Sequence, residues 1–267
     1  MTALVMTTDG PGRVEGDELA LLEAPTTPLG VIDLPPTATV RARVAVAEAT
    51  LLAPVPRPGK VWAVGLNYRA HAAESGREPP PVPMVFIKTT QSVVGSGADI
   101  VLPTIAATQV DWECELAVVI GRRASSVKAA DAWSYVAGIT ACNDVSARDV
   151  QFTTNNFGLA KSFDTFTPLG GSMVTLDEYE NPDDVGVRTL VNGETKQSSR
   201  TSDMVFSVGE LIEYLSAHTT LEPGDVISTG TPGGVGMARG EFLAAGDVVT
   251  IEVDGVLPLV NRVVAAS

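Results

Sequence analysis

The stretch Val110-Asp111-Trp112-Glu113-Cys114-Glu115-Leu116-Ala117-Val118-Val119-Ile120-Gly121 constrains this chain more than any other. Its second half is a β-branched apolar run closed by glycine, the pattern of a buried strand. Side chains alternate across a strand, so Glu113 and Glu115 share a face, with Cα atoms roughly 7 Å apart. Burying two like charges costs several kcal/mol or so per ion unless something compensates them. A divalent cation with oxygen ligands compensates both at once, and carboxylates with water and substrate suit Mg²⁺ or Mn²⁺. An edge strand carrying two solvent-facing acids is the other reading of the same residues.

The rest of the composition narrows the classes. The chain has 267 residues, enough for one large domain or a domain with a small appendage. Its net charge is −14 and no basic run occurs, which argues against nucleic acid as a partner. Such an acidic surface repels anions, so an anionic substrate needs local positive charge. The two cysteines, Cys114 and Cys142, lie in apolar surroundings and read as buried thiols rather than a disulfide. The only histidines are His71 and His218, too few for a Cys/His zinc site. The N-terminus shows no leader pattern and no apolar run reaches membrane-spanning length, so a soluble, cytoplasmic protein without a membrane partner is expected.

Residues 1–57 hold short apolar patches between glycine and proline, with a possible helix near 44–52, and suggest a small N-terminal domain without chemistry. Pro54, Pro56 and Pro58 mark the seam, and residues 58–267 form the expected catalytic domain. After the strand Val61 to Leu66, Asn67 is a fair N-cap and Gly76 a fair C′ residue for a two-turn helix. His71 and Glu74 then meet on one face, where the carboxylate orients the imidazole and raises its basicity. The pair is a general-base arrangement or an ordinary surface pair. The proline-rich connector after Arg77 would let this helix act as a lid, with the base held away from the metal strand until substrate binds.

Residues 126–136 read as a helix, and Gly138 to Cys142 as another buried strand ending at Asp144. A cap is the ordinary role for Asp144. Asn192-Gly193 signals a type I′ hairpin, and Ser207 with Glu210 a capping box. His218 near the end of that helix complements its dipole. The glycine-rich loop 228–236 could bring backbone N–H groups close to an anion, although it fits neither the P-loop nor the dinucleotide fingerprint.

Taken together, the stretches Val64-Gly65-Leu66-Asn67-Tyr68 with His71 and Glu74, Asp111 to Leu116, Asn143 to Asp149, Lys161-Ser162-Phe163-Asp164, Asn192-Gly193, Thr201 to Met204 and Thr229 to Pro232 with Gly234 to Gly236 resemble the fumarylacetoacetate hydrolase family. The likeness points to its acylpyruvase and 2-hydroxyhepta-2,4-diene-1,7-dioate isomerase branch. It covers roughly residues 60–264 and leaves the first 55 unmatched. The resemblance implies an α+β fold, a largely β mixed-sheet roll, and a homodimer. It implies that Glu113, Glu115 and Asp144 bind one Mg²⁺ or Mn²⁺, and that His71, Glu74 and Lys161 are catalytic. Arg148, Gln151, Lys161 and Thr231 fall where the family contacts substrate. Relatives commonly have glycine where this chain has Cys114, whose side chain should point to the opposite strand face.

The expected substrate is a small dicarboxylate or 2-oxo acid. The leading expectation is hydrolysis of a 2,4-dioxo acid: His71 activates water, the C–C bond breaks, and a pyruvate-type enolate leaves, stabilised by the metal and Lys161. The same enolate arises in oxaloacetate decarboxylation and in isomerisation of a 2-hydroxy-dienoate, so both remain alternatives. A silent metal-binding paralogue is a further one, against which His71, Glu74 and Lys161 speak. A two-metal phosphodiesterase would want more histidines than the chain has.

Overall fold

The structure, a computed structural model, describes residues 3–106 and 108–266. The strand Cys114–Ile120 lies in the middle of an extended mixed sheet. It pairs antiparallel with Val136–Asn143 on one side and with Val226–Ser228 on the other. Val61–Gly65 runs parallel to Val226–Ser228, and Met84–Lys88 closes that edge. Beyond Val136–Asn143 the sheet continues through Met173–Val174 to Ala3–Thr7, Gly10–Glu15, Glu18–Leu22 and Val40–Ala45. A second sheet is ordered Glu194–Arg200, Gly186–Val191, Val248–Val253, Leu259–Ala265 and Ile100–Leu102.

The alternation of the central strand assigns its faces. Cys114, Leu116, Val118 and Ile120 pack into the larger core with Val187, Val191, Val249 and Ile251 of the second sheet. Ala117 and Val119 pack into a smaller core with Met6, Val55 and Val61. Both faces are covered, so the edge-strand reading fails and Glu113 and Glu115 are buried acids. Cys114 points away from the acids, as expected. The fold is α+β and mainly sheet, of the expected type.

Residues 3–57 are stitched into the main sheet through Ala3↔Val174 and Leu4↔Met173. The helix expected near 44–52 does not form. Val40–Ala45 pairs with Glu18–Leu22, a single 3₁₀ turn covers Val46–Glu48, and Leu51–Leu52 pairs with Ala3–Thr7. The helix expected over 126–136 is also corrected: a 3₁₀ stretch spans Ala129–Tyr135 and the sheet takes over at Val136, opposite Ile120. In the first segment an apolar period that fits a helix loses to strand pairing; the second keeps a helical turn, but of the tighter 3₁₀ kind.

Other local signals hold. Asn192 and Gly193 have φ of 52° and 80°, the left-handed pair that a type I′ hairpin needs. Ser207 and Glu210 form the capping box of Val208–His218, and the His218 ring meets the Tyr214 carbonyl at 2.7 Å in its last turn. No helix among the described residues is long and apolar enough to cross a membrane.

Both cysteines are fully buried and unpaired. Burial pushes the Cys142 thiol up to about 12 and Cys114 higher still. The thiolate is the reactive form, so neither should react with iodoacetamide at pH 8 in the folded protein. Mass spectrometry should find both labelled in urea, and rapid labelling of the native chain would contradict this packing.

Candidate active site

The strand pair builds the site. Cys114 pairs with Asn143, so the residues just outside the pair, Glu113 and Asp144, are neighbours, and the Asp144 N–H donates to the Glu113 carbonyl at 2.9 Å. Glu115 follows one alternation later on the same side. Carboxylate oxygens of Glu113, Glu115 and Asp144 lie within 4.8 Å of one another, all buried. Asp144 is therefore not a cap but a member of an acid cluster.

Cations are packed around two of these acids. Lys161, at the end of the short helix Phe157–Ala160, places Nζ 2.6 Å from Glu113 and 2.7 Å from Asp144. Arg148, at the start of the helix Arg148–Thr154, reaches Glu113 at 2.6 Å. Lys88 is buried at the end of its edge strand and bonds both Asp144 and the Phe166 carbonyl. Lys88 was missed in the sequence, where it reads as an ordinary polar residue closing an apolar strand. Burial opposes charge on Glu113, but Lys161 and Arg148 hold its carboxyl well below the usual carboxylate range.

Glu115 has no such partner: among the described residues no salt bridge reaches it. Its contact is the Gly230 N–H at 2.9 Å. Burial, then Asp144 and Glu113, push its carboxyl well above the usual range. With Asp111 included, four buried carboxylates face Lys88, Arg148 and Lys161, an excess of one negative charge. A hard divalent cation at Glu115 would more than offset that excess and leave one positive charge for an anionic substrate, so the residues present fit the expected metal.

The glycine-rich loop does bind anions, but they are the chain's own. Gly230 N–H donates to Glu115, Gly234 N–H to Glu74 at 2.7 Å, and Gly236 and Met237 N–H to Asp111 at 2.6 and 3.0 Å. Gly230 has φ +105°, and a Cβ there would sit 2.7 Å from that of Asn67. Asp111 was quoted in the sequence only as part of a motif. It holds Arg148 through Nε at 2.9 Å and Nη2 at 2.8 Å, and so ties the loop to the acid cluster.

His71 and Glu74 sit on the helix Arg69–Glu74, with Nδ1 2.8 Å from the Glu74 carboxylate. Asn67 is not its cap. The N-cap position is Tyr68, and the Asn67 amide instead donates to the Phe206 and Thr229 carbonyls and accepts from the Phe206 N–H. The helix is docked rather than held away: Glu74 bridges it to the glycine loop. His71 lines one cavity of about 130 Å³ together with Glu113, Arg148, Gln151, Lys161 and Thr231. Phe86, Phe152, Phe157, Met84 and Met237 supply its apolar wall. Within it, Gln151 accepts from Arg148 at 3.0 Å and Thr231 accepts from Gln197 at 2.8 Å, leaving the Gln151 amide N–H and the Thr231 hydroxyl hydrogen for another acceptor.

Residues 60–264 match the family model described as Fumarylacetoacetate (FAA) hydrolase C-terminal. The chain belongs to the fumarylacetoacetate hydrolase family. Among curated relatives it is 47% identical over 221 residues to oxaloacetate tautomerase FAHD2A, mitochondrial, of Bos taurus, covering 81% of this chain and 70% of that one. Among solved structures it is similar to 2-hydroxyhepta-2,4-diene-1,7-dioate isomerase from Mycobacterium marinum, with TM-score 0.83, 36% identity and 100% of both chains covered. It is likewise similar to 5-carboxymethyl-2-hydroxymuconate delta-isomerase from Mycobacterium smegmatis, with TM-score 0.83, 41% identity and 100% of both chains covered. The curated relative is named as mitochondrial, so it lends nothing to the cytoplasmic expectation.

Removing one partner of a buried ion pair leaves the other uncompensated. Asp111→Ala should therefore cost about 3–5 kcal/mol of stability, read from the urea midpoint at unchanged slope. A loss below about 1 kcal/mol, the scale of an exposed pair, would show that Asp111 does not hold Arg148 and the loop.

Proposed function

We propose that this chain is an isomerase of small 2-oxo acids, moving a proton between the enol and keto forms of a dicarboxylic substrate such as oxaloacetate or a 2-hydroxy-dienoate. The observation that carries this reading is the cavity itself. One imidazole, oriented by Glu74, and one buried ammonium, Lys161, line the same cavity together with Glu113. That puts a proton-transfer group and a charge-stabilising group in one cavity. The names of the relatives support proton transfer over the C–C hydrolysis expected first.

Glu74 accepting from Nδ1–H leaves His71 Nε2 as the basic atom. In the enol-to-keto direction His71 takes the proton from the 2-hydroxyl oxygen and delivers it to the carbon that was doubly bonded. Lys161 donates to the oxygen on which negative charge builds. The Gln151 amide and the Thr231 hydroxyl bind and orient the substrate carboxylate, while Arg148, occupied by Asp111 and Glu113, positions Gln151. The aromatic wall keeps water from the reacting carbon. Glu113, Glu115 and Asp144 would hold Mg²⁺ or Mn²⁺, which would polarise the 2-oxo oxygen and lower the cost of its negative charge. The dimer implied by the resemblance belongs to this proposal as well.

Enol absorbance of oxaloacetate and deuterium uptake at C3 in D₂O test the reading together. The enzyme should speed both and leave the carbon skeleton intact, and His71→Asn should slow both by about 10²–10⁴-fold. Appearance of pyruvate or a cleaved acid as fast as deuterium enters would restore decarboxylation or hydrolysis as the function.

A further inference from the structure

The cavity has two ends. At the inner end lie Glu113, Arg148 and Lys161, all buried. At the outer end Phe152 is 57% exposed, Arg77 is exposed and Ser75 is half-buried. The inner cations already have partners. Arg148 bonds Asp111, Glu113 and Gln151, and Lys161 bonds Glu113 and Asp144, which leaves one ammonium hydrogen for the 2-oxo end. Arg77 differs: among the described residues no salt bridge or side-chain hydrogen bond engages its guanidinium. The Ser75 hydroxyl is equally free.

Their placement is fixed by the helix that carries His71. Ser75 is its C-cap, Gly76 turns the chain at φ +65°, and the Arg77 N–H returns to the Ala72 carbonyl at 2.9 Å. This close is the usual way a left-handed glycine ends a helix. Arg77 is thus held in one unit with His71. The prolines at 79–81 then stiffen the chain as it leaves. In a protein of net charge −14, an unpaired guanidinium on a cavity wall is a local attraction for an anion against an unfavourable overall field.

We infer that Arg77, with the Ser75 hydroxyl, forms an outer anion subsite that receives the far carboxylate of a dicarboxylic 2-oxo acid whose 2-oxo end lies at the acid cluster. This rests on the 2-oxo acid reading above and adds the residue that selects dicarboxylates over monocarboxylates. Between the two ends Met84, Phe86, Phe152 and Phe157 match the uncharged middle of such a molecule. Arg77 is a specificity residue and takes no part in the proton transfer.

The test compares binding of chain-matched acids, 2-oxoglutarate and 2-oxopentanoate, by titration calorimetry with saturating Mg²⁺. Wild type should prefer 2-oxoglutarate. Arg77→Gln should weaken 2-oxoglutarate by about 10–100-fold, the scale of a hydrogen bond between charged groups, and leave 2-oxopentanoate within about twofold. Arg77→Lys should recover part of the loss. An unchanged preference in Arg77→Gln, or no binding of either acid to wild type, overturns the subsite. An exposed side chain should not alter folding, which the urea midpoint of each variant checks. Oxaloacetate tautomerisation is assayed in parallel. If it is absent while the binding preference follows Arg77, the subsite stands and the isomerase reading falls.

Discussion

Crowding buried carboxylates around one strand end is the constraint on which the rest of this structure depends. Glu113, Glu115 and Asp144 are brought together because the Cys114–Ile120 and Val136–Asn143 strands pair in one register. A slip of one residue would turn every side chain of the strand to the other face. The larger core holds that register by burying Leu116, Val118 and Ile120 against the second sheet. Apolar packing thus fixes a cluster of buried acids.

The surroundings of the cluster follow from its charge. Each carboxylate must find a cation or N–H donors. Lys88 arrives from the edge strand, Lys161 and Arg148 from short helices, and the loop after Ser228 turns its amides inward. The loop's amides also take Glu74, which fastens the His71 helix beside the cavity. The acids therefore organise both the electrostatics of the pocket and the position of its base. Glu115 is the acid that the protein leaves without a cation, and it is there that the account places the charge of a bound ion.

Much of this could be seen in the sequence because local patterns carry it. Glu113 and Glu115 are two apart in a strand, His71 and Glu74 three apart on a helix, and Asn192-Gly193 marks its own turn. Asp144 and Lys161 became legible only through the family resemblance, since strand order and a turn of chain bring them in. Lys88 and Asp111 were missed for the same reason: their partners are 56 and 37 residues away. The glycine loop was read correctly as an anion binder, but no local rule says that the anions belong to the chain itself. The helix expected near 44–52 failed where strand pairing outweighs a helical apolar period, and the one expected over 126–136 formed only as a 3₁₀ stretch.

Thermal unfolding of Glu115→Gln against wild type, in EDTA and with added Mg²⁺, measures the central claim directly. Glu115 is the acid left without a cation and, in the proposed site, a ligand of the ion. The variant should therefore be at least as stable as wild type in EDTA and should lose most of the rise in midpoint that Mg²⁺ gives the wild type. A variant that is destabilised in EDTA, or whose midpoint rises with Mg²⁺ as much as that of wild type, would contradict the account.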